Sequence, residues 1–420
     1  MLFLLTIKNK CFIIWLVKHM EREILHVDVN NAFLSWLAVY KLECGEKLDI
    51  RTIPAVIGGD EKQRHGVVLA KSNLAKQFGI KTGEPLYSAR KKCPTIKIYE
   101  SNFKVYKKYS DMLYRLLSEY SYKIERFSID ECFVDMTEFL NGRKLIDVAY
   151  EISKRVKAEL KFTVNIGVAH NKLLAKMASD FQKPDRVHTL YEKEIPRKMW
   201  ELPIADLFMV GRRTLPKLYN MNIKTIKDLA ESNKDLLIKK FGKFGKTMWE
   251  YANGIDDSEV VFTYQKPKCV GNSTTVSQDI TDIEKIEEVL LALTEHTTYR
   301  LRKIKMLCNV VSVQLRTNEF KNYSHQRKLD FSTNSTKEIF KVAKQLVRQL
   351  FKGEPIRLIG IRVDDLCDEN EKQISLFENQ ETKKQEKLDK VIDLIKDKYG
   401  YEKITRAGDM KQSQNINRKD

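Results

Sequence analysis

The chain has 420 residues, which is too long for one ordinary hydrophobic core and predicts two to four domains. Its formal charge of +18 favours a polyanionic partner, with an unusually basic soluble surface as the alternative. The seven cysteines are scattered without a CxxC pair, which argues against a disulfide framework and a structural zinc site and predicts a reducing cytoplasm.

The first residues are apolar from Met1 to Val17, but a Lys-Asn-Lys sequence at 8–10 divides them. Neither block reaches the roughly 20 residues that span a bilayer, and the order of charge and apolar residues is wrong for a signal peptide. We therefore expect no membrane segment. Our hypothesis is that translation starts at Met20.

Acidic residues interrupt two apolar runs that lie about a hundred residues apart. Asp28 lies within Ile24–Val29, and the pair Asp130-Glu131 lies within Phe127–Val134. Both runs have the β-branched and aromatic content of buried strands, where a carboxylate is normally paired or bound to metal. If the runs are neighbouring strands, three carboxylates converge, which suits two divalent ions roughly 4 Å apart and phosphoryl transfer. Because neighbours in an ideal strand face opposite ways, the acidic pair also requires a bend.

The hydrophobic spacing predicts further elements on both sides of the acidic pair. A strand is predicted over 162–168, and helices are predicted over 31–47, 72–78, 101–120, 145–160 and 172–181. The resulting βαββαβ-like order suits an α+β domain.

The second half of the chain changes character twice. From 202 to 254 the pattern is helical with short loops, and Gly211-Arg212-Arg213 resembles a helix-hairpin-helix turn that presents amides and basic residues to a DNA phosphate. Residues 270–366 alternate between strands and helices. Between 299 and 328 there are eight Lys or Arg and one acid, which favours a surface that follows a phosphate backbone. The charged tail contains one predicted amphipathic helix over 384–399.

Four segments together resemble the Y-family, translesion DNA polymerases, closest to the bacterial DNA polymerase IV branch. They are the two acidic runs, the segment Val67–Ile80, and the segment Ile166–Lys176 that continues to Lys183-Pro184. The resemblance extends from about residue 22 to about residue 366 and implies an α+β, multidomain right-hand polymerase. Its implied parts are a non-family extension at 1–21, a palm at 22–31 and 102–190, small fingers at 32–101, a helical thumb with the helix-hairpin-helix at 191–257, a linker at 258–267, an α+β little finger at 268–366, and a charged tail at 367–420.

The resemblance also implies roles for individual residues. Asp28, Asp130 and Glu131, with the Val29 carbonyl, would hold two Mg²⁺ ions, for which Mn²⁺ can substitute. Phe33 occupies the position of the steric gate that excludes ribonucleotides. The implied nucleotide contacts are Asn73 and Lys76, which stand in place of the usual Tyr and Arg, and Lys183. Lys176 is expected to be a solvated lysine on the helix behind the site.

Binding to DNA and to a sliding clamp is implied by further residues. The DNA contacts expected are Gly211, Arg212, Arg213, Arg300, Arg302, Lys303 and Arg316. In the tail, Gln373, Leu376 and Phe377 resemble the peptide with which bacterial polymerases bind a sliding clamp.

The implied function is template-directed, low-fidelity DNA synthesis past damaged bases, by two-metal phosphoryl transfer to a primer 3′ end and without proofreading. The partners would be primer-template DNA, deoxynucleoside triphosphates and the sliding clamp, for a cytoplasmic monomer. One alternative is a catalytically inactive scaffold of the same fold in a mutagenesis complex, which the retained acids argue against. Another is a two-metal nuclease or cyclase, against which the gate, the helix-hairpin-helix and the clamp-like peptide argue.

Overall fold

The computed structural model describes residues 22–60, 66–263, 265–371 and 380–404. The strands are β1 Ile24–Val29, β2 Ala55–Gly58, β3 Val68–Lys71, β4 Lys97–Glu100, β5 Ile124–Arg126, β6 Glu131–Asp135, β7 Val164–Ala169, β8 Val187–Thr189, β9 Cys269–Ile280, β10 Met306–Thr317, β11 Asn322–Thr333 and β12 Ile356–Asp368. The α-helices are α1 Ala32–Glu43, α2 Asn73–Gln77, α3 Leu86–Lys92, α4 Phe103–Ser118, α5 Leu145–Arg155, α6 Lys172–Asp180, α7 Ile195–Lys198, α8 Leu215–Tyr219, α9 Ile226–Ala230, α10 Lys234–Phe241, α11 Lys243–Ala252, α12 Ile283–Lys303, α13 Thr336–Leu350 and α14 Gln380–Tyr399. Across these ranges, no helix is both long and apolar enough to cross a membrane.

A five-stranded sheet in the order β5-β6-β1-β7-β8 carries the acidic residues. β1 is central and antiparallel to both β6 and β7, so that Asp28 lies opposite Glu131 on one side and Asn165 on the other. The prediction that the two acidic runs are neighbours is confirmed. The second run differs from the prediction, because residues 128–130 form a bend and β6 begins only at Glu131. Asp130 therefore precedes the strand instead of interrupting it.

The region between β1 and β5 contains a small sheet in the order β3-β2-β4. The predicted helix at 72–78 is confirmed as α2, which begins where the Ser72 hydroxyl accepts a hydrogen bond from Ala75 N. Helix α1 ends at Glu43, before the predicted end at 47. It ends there because Gly45 adopts a left-handed φ of 91° and its N–H turns back to the Leu42 carbonyl.

The helical region from α7 to α11 contains the expected glycine turn at Gly211 and a second one at residues 242–245, and the two differ in detail. At the second turn, Gly242 has a φ of 64°, and a Cβ on Gly245 would lie 2.1 Å from the Leu237 carbonyl oxygen. Gly242 is therefore favoured by its left-handed backbone conformation, and Gly245 is required by the close packing of α10 on α11. At the first turn, the left-handed residue is Met209, with a φ of 72°. Gly211 lies two residues later, and a Cβ added to it would meet no other atom. Gly211 therefore does not itself make the turn.

The region after residue 268 forms a four-stranded antiparallel sheet in the order β11-β10-β12-β9. Along β10, Val311, Val313 and Leu315 are buried beneath α12 and α13, and the residues between them face the opposite side. Strand alternation therefore gives this sheet one apolar face covered by helices and one polar face.

The predicted tail helix is confirmed as α14, which begins at Gln380. It lies on the four-stranded domain with its charged side inward, because Asp389 and Lys396 are buried. Leu388, Val391 and Leu394 are 50, 53 and 67% exposed. Much of the predicted apolar side therefore faces outward, and only Ile392 and Ile395 of that side are half-buried.

Candidate active site

Three carboxylates lie at one end of β1. Asp28 and Glu131 occupy opposite positions on β1 and β6, and Asp130 is fixed beside them because its carbonyl accepts a hydrogen bond from Val29 N. The Ser128 hydroxyl lies 2.6 Å from the Asp130 carboxylate. The bend at 128–130 thus brings the two consecutive acids to the same place, as the strand geometry required.

Two lysines balance the charge of these acids. Lys183 Nζ lies 2.6 Å from Asp28 Oδ2, and Lys176 Nζ lies 2.9 Å from Glu131 Oε1 and 3.5 Å from Asp28 Oδ2. Asp180 contacts both lysines, at 3.4 Å from Lys176 and 2.8 Å from Lys183. The expectation that Lys176 is a solvated helix lysine is wrong, because its side chain is only 10% exposed. Helix periodicity identified its face but not the element against which that face packs.

A buried histidine stands behind the acids on the same face of β1. His26 Nδ1 lies 2.8 Å from Ser179 Oγ, and that hydroxyl is also 2.8 Å from the Lys176 carbonyl. Since the carbonyl can only accept, the serine proton goes to it and His26 Nδ1 donates. His26 Nε2 lies 3.8 Å from Glu131 Oε2 and has no hydrogen-bond partner. Burial lowers the pKa of His26, so the ring is held neutral.

The two neighbouring acids have pKa values that move apart. Burial would raise the pKa of Glu131, but the adjacent ammonium group of Lys176 acts in the opposite direction, and the pKa is lowered to about 2. Burial raises the pKa of Asp130, and repulsion from Asp28 and Glu131 adds to this against the Ser128 hydrogen bond. Glu131 is thus stabilised as a carboxylate, whereas Asp130 bears an uncompensated charge that favours a nearby cation.

The side chain of Asn30, the residue after β1, makes only structural hydrogen bonds. Its amide nitrogen donates to Asn165 Oδ1 at 3.0 Å, and its oxygen accepts from Thr163 Oγ1 and from Asp185 N, both at 2.9 Å. These bonds connect β1 to β7 and to the segment that carries Lys183. Asn30 therefore helps to position β1 and the Lys183 segment, and it adds no charge to the site.

A pocket of about 320 Å³ opens beside the acids. Phe33 lines it and is half-buried, with its ring stacked on Tyr106 at a centroid distance of 4.6 Å. The predicted residues Asn73, Lys76 and Lys183 also line this pocket, together with Asp28 and Asp130. The tertiary structure thus brings together residues that lie up to about 150 positions apart.

Sequence reasoning missed one lysine of this pocket. Lys71, the last residue of β3, lines the wall beside Lys76, and its Nζ lies 3.2 Å from Thr82 Oγ1. Burial, and then the charge of Lys76, lower the pKa of Lys71. Two lysines held close together, as Lys71 and Lys76 are, are typical of a site that binds an anion. The sequence pattern that could have identified Lys71 is strand alternation, which places it on the same side of β3 as Leu69. Leu69 also lines the pocket.

Family models match three parts of the chain. The impB/mucB/samB family matches residues 27–180, its C-terminal domain matches 267–376, and the thumb domain of DNA polymerase-iota matches 205–256. The first match contains the acids and most of the pocket, and the others contain the glycine turns and the four-stranded sheet.

Known relatives align over nearly their whole length. DNA polymerase IV of Clostridium acetobutylicum is 48% identical over 92% of this chain and 98% of that protein. The chain belongs to the Y-family DNA polymerases, in the DNA polymerase IV branch. DNA polymerase IV of Acetivibrio thermocellus is 35% identical over 95% of this chain and 100% of that protein. The resemblance seen in the sequence is therefore confirmed.

A solved structure supports the fold of this Y-family polymerase. The Y-family DNA polymerase chimera Dbh-Dpo4(243-245)-Dbh superposes with a TM-score of 0.73, covering 82% of this chain and 99% of the chimera at 23% identity. The predicted α+β right-hand architecture is confirmed. We accordingly use palm for the five-stranded sheet with its helices, fingers for the β3-β2-β4 region, thumb for α7–α11, and little finger for the four-stranded domain.

The residues predicted to contact DNA lie in two of these domains. Gly211, Arg212 and Arg213 are exposed on the thumb immediately before α8. On the little finger, Arg316 lies on the polar face of β10, bonded to Asn322, and Arg300 is exposed on α12 with a contact to the Gly271 carbonyl.

Arg302 has different surroundings from the other predicted DNA contacts. Its side chain is 10% exposed, and Nε and Nη2 bind Asp393 of α14 at 2.6 and 2.9 Å while Nη1 binds the Asn334 carbonyl. All of its nitrogens are therefore engaged within the protein, and they connect α12 to the tail helix. The adjacent Lys303 is exposed, with Asp397 of α14 at 3.9 Å. The clamp-like residues Gln373, Leu376 and Phe377 lie outside the described residues.

The palm acids fit a divalent cation by the chemistry of their donors. Three carboxylates offer the hard oxygen ligands that Mg²⁺ and Mn²⁺ prefer. Burial, and then repulsion from Asp28 and Glu131, raise the pKa of Asp130, and a cation beside it would favour its ionised form. Over the described part of the chain, no three His, Cys, Asp or Glu side chains are already gathered as a set of metal ligands. In the palm this agrees with the geometry, because the ammonium groups of Lys176 and Lys183 lie among the carboxylates.

Proposed function

We propose that this DNA-directed DNA polymerase extends primers on damaged templates with two divalent cations held by Asp28, Asp130, Glu131 and the Val29 carbonyl. The observation that carries the proposal is that Asp28 and Asp130 line the same pocket as Phe33 and three lysines, with Glu131 opposite Asp28 on the neighbouring strand. When bound, such cations activate the primer hydroxyl and neutralise the triphosphate. We expect Mg²⁺ in this role, with Mn²⁺ able to replace it.

Different residues of the pocket would bind different parts of the nucleotide. Lys183, whose side chain is 37% exposed at the pocket, would bind the triphosphate by moving away from Asp28. Lys76 and Lys71 would add point charges on the opposite wall, and Asn73 would supply a hydrogen bond. The stacked Phe33 would contact the sugar and exclude a 2′-hydroxyl.

Low fidelity and bypass of lesions follow from the small fingers. This domain is built from three strands of four residues and helices of five and seven residues, which provide little surface to test the shape of a base pair. We also propose that the enzyme does not proofread. A proofreading exonuclease would need its own set of metal-binding acids, and Asp28, Asp130 and Glu131 are assigned to the synthesis site. The exposed Arg212, Arg213 and Arg300, with the half-buried Arg316, would hold the duplex by its phosphates.

The remaining assignments concern partners and location. The segment Gln373–Phe377 would bind the sliding clamp through the Gln side chain and the apolar Leu376 and Phe377. We further propose a monomer that acts in the cytoplasm, where the DNA of a bacterium lies.

Primer extension tests the proposal directly. Wild type and Asp130→Ala would be compared with Mg²⁺ on an undamaged template and on one that contains an abasic site. We expect template-dependent addition by the wild type, progress past the abasic position, and loss of both with Asp130→Ala. The scaffold alternative predicts wild-type protein that binds primer-template DNA but does not extend it, and that result would overturn the proposal.

A further inference from the structure

Lys176 holds a position in the palm that neither neighbouring lysine shares. It alone, within the described residues, contacts both Asp28 and Glu131, and its side chain is 10% exposed. Lys183 reaches only Asp28 of these two acids and is far more exposed. Lys172, one turn earlier on α6, pairs instead with Glu125 at 2.7 Å. Lys176 is therefore the cation enclosed by the acid cluster.

The backbone beneath Lys176 is held at a fixed distance from the sheet. Helix α6 lies so close to β7 that a Cβ on Gly167 would be 1.8 Å from the Ala175 carbonyl oxygen. Ser179, on the same helix, is tied to His26 of β1. Helix α6 cannot move closer to β7, and the bond between Ser179 and His26 holds it to β1. The backbone therefore fixes the position from which the Lys176 ammonium group contacts the carboxylates.

We propose that Lys176 is an internal counter-ion, which holds Asp28 and Glu131 together in the metal-free enzyme and competes with divalent cations for them. The inference rests on the proposed metal site. It assigns to Lys176 a positioning role: the lysine keeps the carboxylates close together before metal arrives, and its positive charge weakens metal binding.

A second partner for the ammonium group is already present. Asp180 lies one turn further along α6, with its carboxylate 3.4 Å from Lys176 Nζ and nearly half exposed. When a cation occupies the acids, Lys176 can stay paired with Asp180 without leaving its enclosed position. Lys183, by contrast, has an exposed path from Asp28 to the pocket. The two lysines thus have separate roles although both contact Asp28.

Mn²⁺ binding to the full-length enzyme without nucleotide or DNA tests the competition, with free Mn²⁺ followed by electron paramagnetic resonance. We compare wild type with Lys176→Met and with Lys172→Met, a matched control on the same helix whose lysine is similarly buried and pairs with a different acid. We expect Lys176→Met to bind Mn²⁺ about tenfold or more tightly, because a like charge has been removed beside the site. Lys172→Met should keep the wild-type affinity.

Thermal unfolding supplies a readout that is independent of affinity. Both substitutions leave a carboxylate unpaired, so both should lower the melting temperature in a chelator. Only the loss in Lys176→Met should be recovered by millimolar Mn²⁺. Lys176→Gln, which removes the charge but retains a shorter polar side chain, should show the same tighter binding even if Lys176→Met unfolds without metal.

The outcomes separate this inference from the proposed function. If wild type binds Mn²⁺ and Asp130→Asn does not, the metal site stands, and the two lysine variants then decide the role of Lys176. Unchanged or weaker Mn²⁺ binding in both Lys176→Met and Lys176→Gln would overturn the inference, as would equal recovery of Lys172→Met. Absence of Mn²⁺ binding to wild type would instead overturn the metal site itself.

Discussion

The ring of Phe33 lies nearly parallel to that of Tyr106, with an interplanar angle of 16° and a centroid distance of 4.6 Å. Tyr106 is fully buried in the palm core, so it forms a rigid base beneath the half-buried Phe33. A ring supported in this way cannot move aside to admit a larger sugar. The stack is therefore the physical basis for the predicted exclusion of ribonucleotides.

Replacing Phe33 by Ala should raise ribonucleotide incorporation relative to deoxynucleotide roughly tenfold to a hundredfold. The reason is that overpacking of about 1–3 kcal/mol against a 2′-hydroxyl is removed. Single-nucleotide insertion with matched ribo- and deoxynucleotides measures the ratio. Tyr106→Phe keeps the supporting ring and should keep the selectivity. Unchanged sugar selectivity in Phe33→Ala would exclude Phe33 as the gate.

The opposite pKa shifts of two consecutive acids predict opposite changes in stability at neutral pH without metal. Glu131 has a lowered pKa, so its ionised form stabilises the fold above its ordinary pKa of 4.5, and this contribution is lost as the pH falls toward 2. Glu131→Gln should therefore lower the free energy of unfolding, by about 3 kcal/mol at most.

Asp130 has a raised pKa, so its ionised form costs stability above that pKa, and the cost disappears as the pH falls and the group is protonated. Asp130→Asn should therefore stabilise the metal-free enzyme at neutral pH while it abolishes synthesis. Urea unfolding in a chelator at pH 7.5 and at pH 4 measures both variants. A loss of stability in Asp130→Asn at pH 7.5 would contradict this assignment of the charges.

The resemblance in sequence implies that Lys76 stands in place of an arginine that contacts the triphosphate, and this predicts a gain of function on restoring arginine. Lys76→Arg should lower the KM for the nucleotide about tenfold with little change in kcat, because a guanidinium binds phosphate through two parallel hydrogen bonds. Steady-state insertion kinetics measure the two constants separately. Lys81→Arg is the control, since Lys81 is exposed in the same domain and does not line the pocket. An equal effect of both variants would show that Lys76 does not contact the triphosphate.

Arg300 and Arg302 lie two residues apart on α12 and should behave differently. Arg300→Ala should weaken primer-template binding and lower the slope of log affinity against log salt by about one. Arg302→Ala should leave that slope unchanged, because its guanidinium is bound to Asp393. It should instead raise hydrogen exchange in residues 385–399 of the tail helix. A reduced salt slope for Arg302→Ala without faster exchange would return Arg302 to the DNA contacts.

The main parts of the site were predictable because they depend on short stretches of sequence. Asp28 and the pair Asp130-Glu131 stand in runs of strand character, and a buried carboxylate in such a run needs a partner. The need for a bend at the acidic pair followed from strand geometry, and residues 128–130 provide it. The helices at 72–78 and 172–181 were also found, since their spacing and capping residues are local.

Other features depended on which elements pack together. Lys176 was misjudged because a helical pattern tells which residues share a face, not whether that face meets solvent or a sheet. The partners of Arg302 could not be predicted for a related reason: residues two apart on a helix point in widely different directions, and only the docking of α14 shows which one is covered.

The sequence by itself determined the Y-family resemblance, the three palm acids and several of the helices and strands around them, because each depends on short stretches of sequence. The tertiary structure decided which cations face those acids, that Lys71 joins the pocket, and that the tail helix turns its charged side inward. These depend on contacts between segments up to about 150 residues apart. Such contacts are selected by the packing and charge of the whole fold, which no local pattern contains.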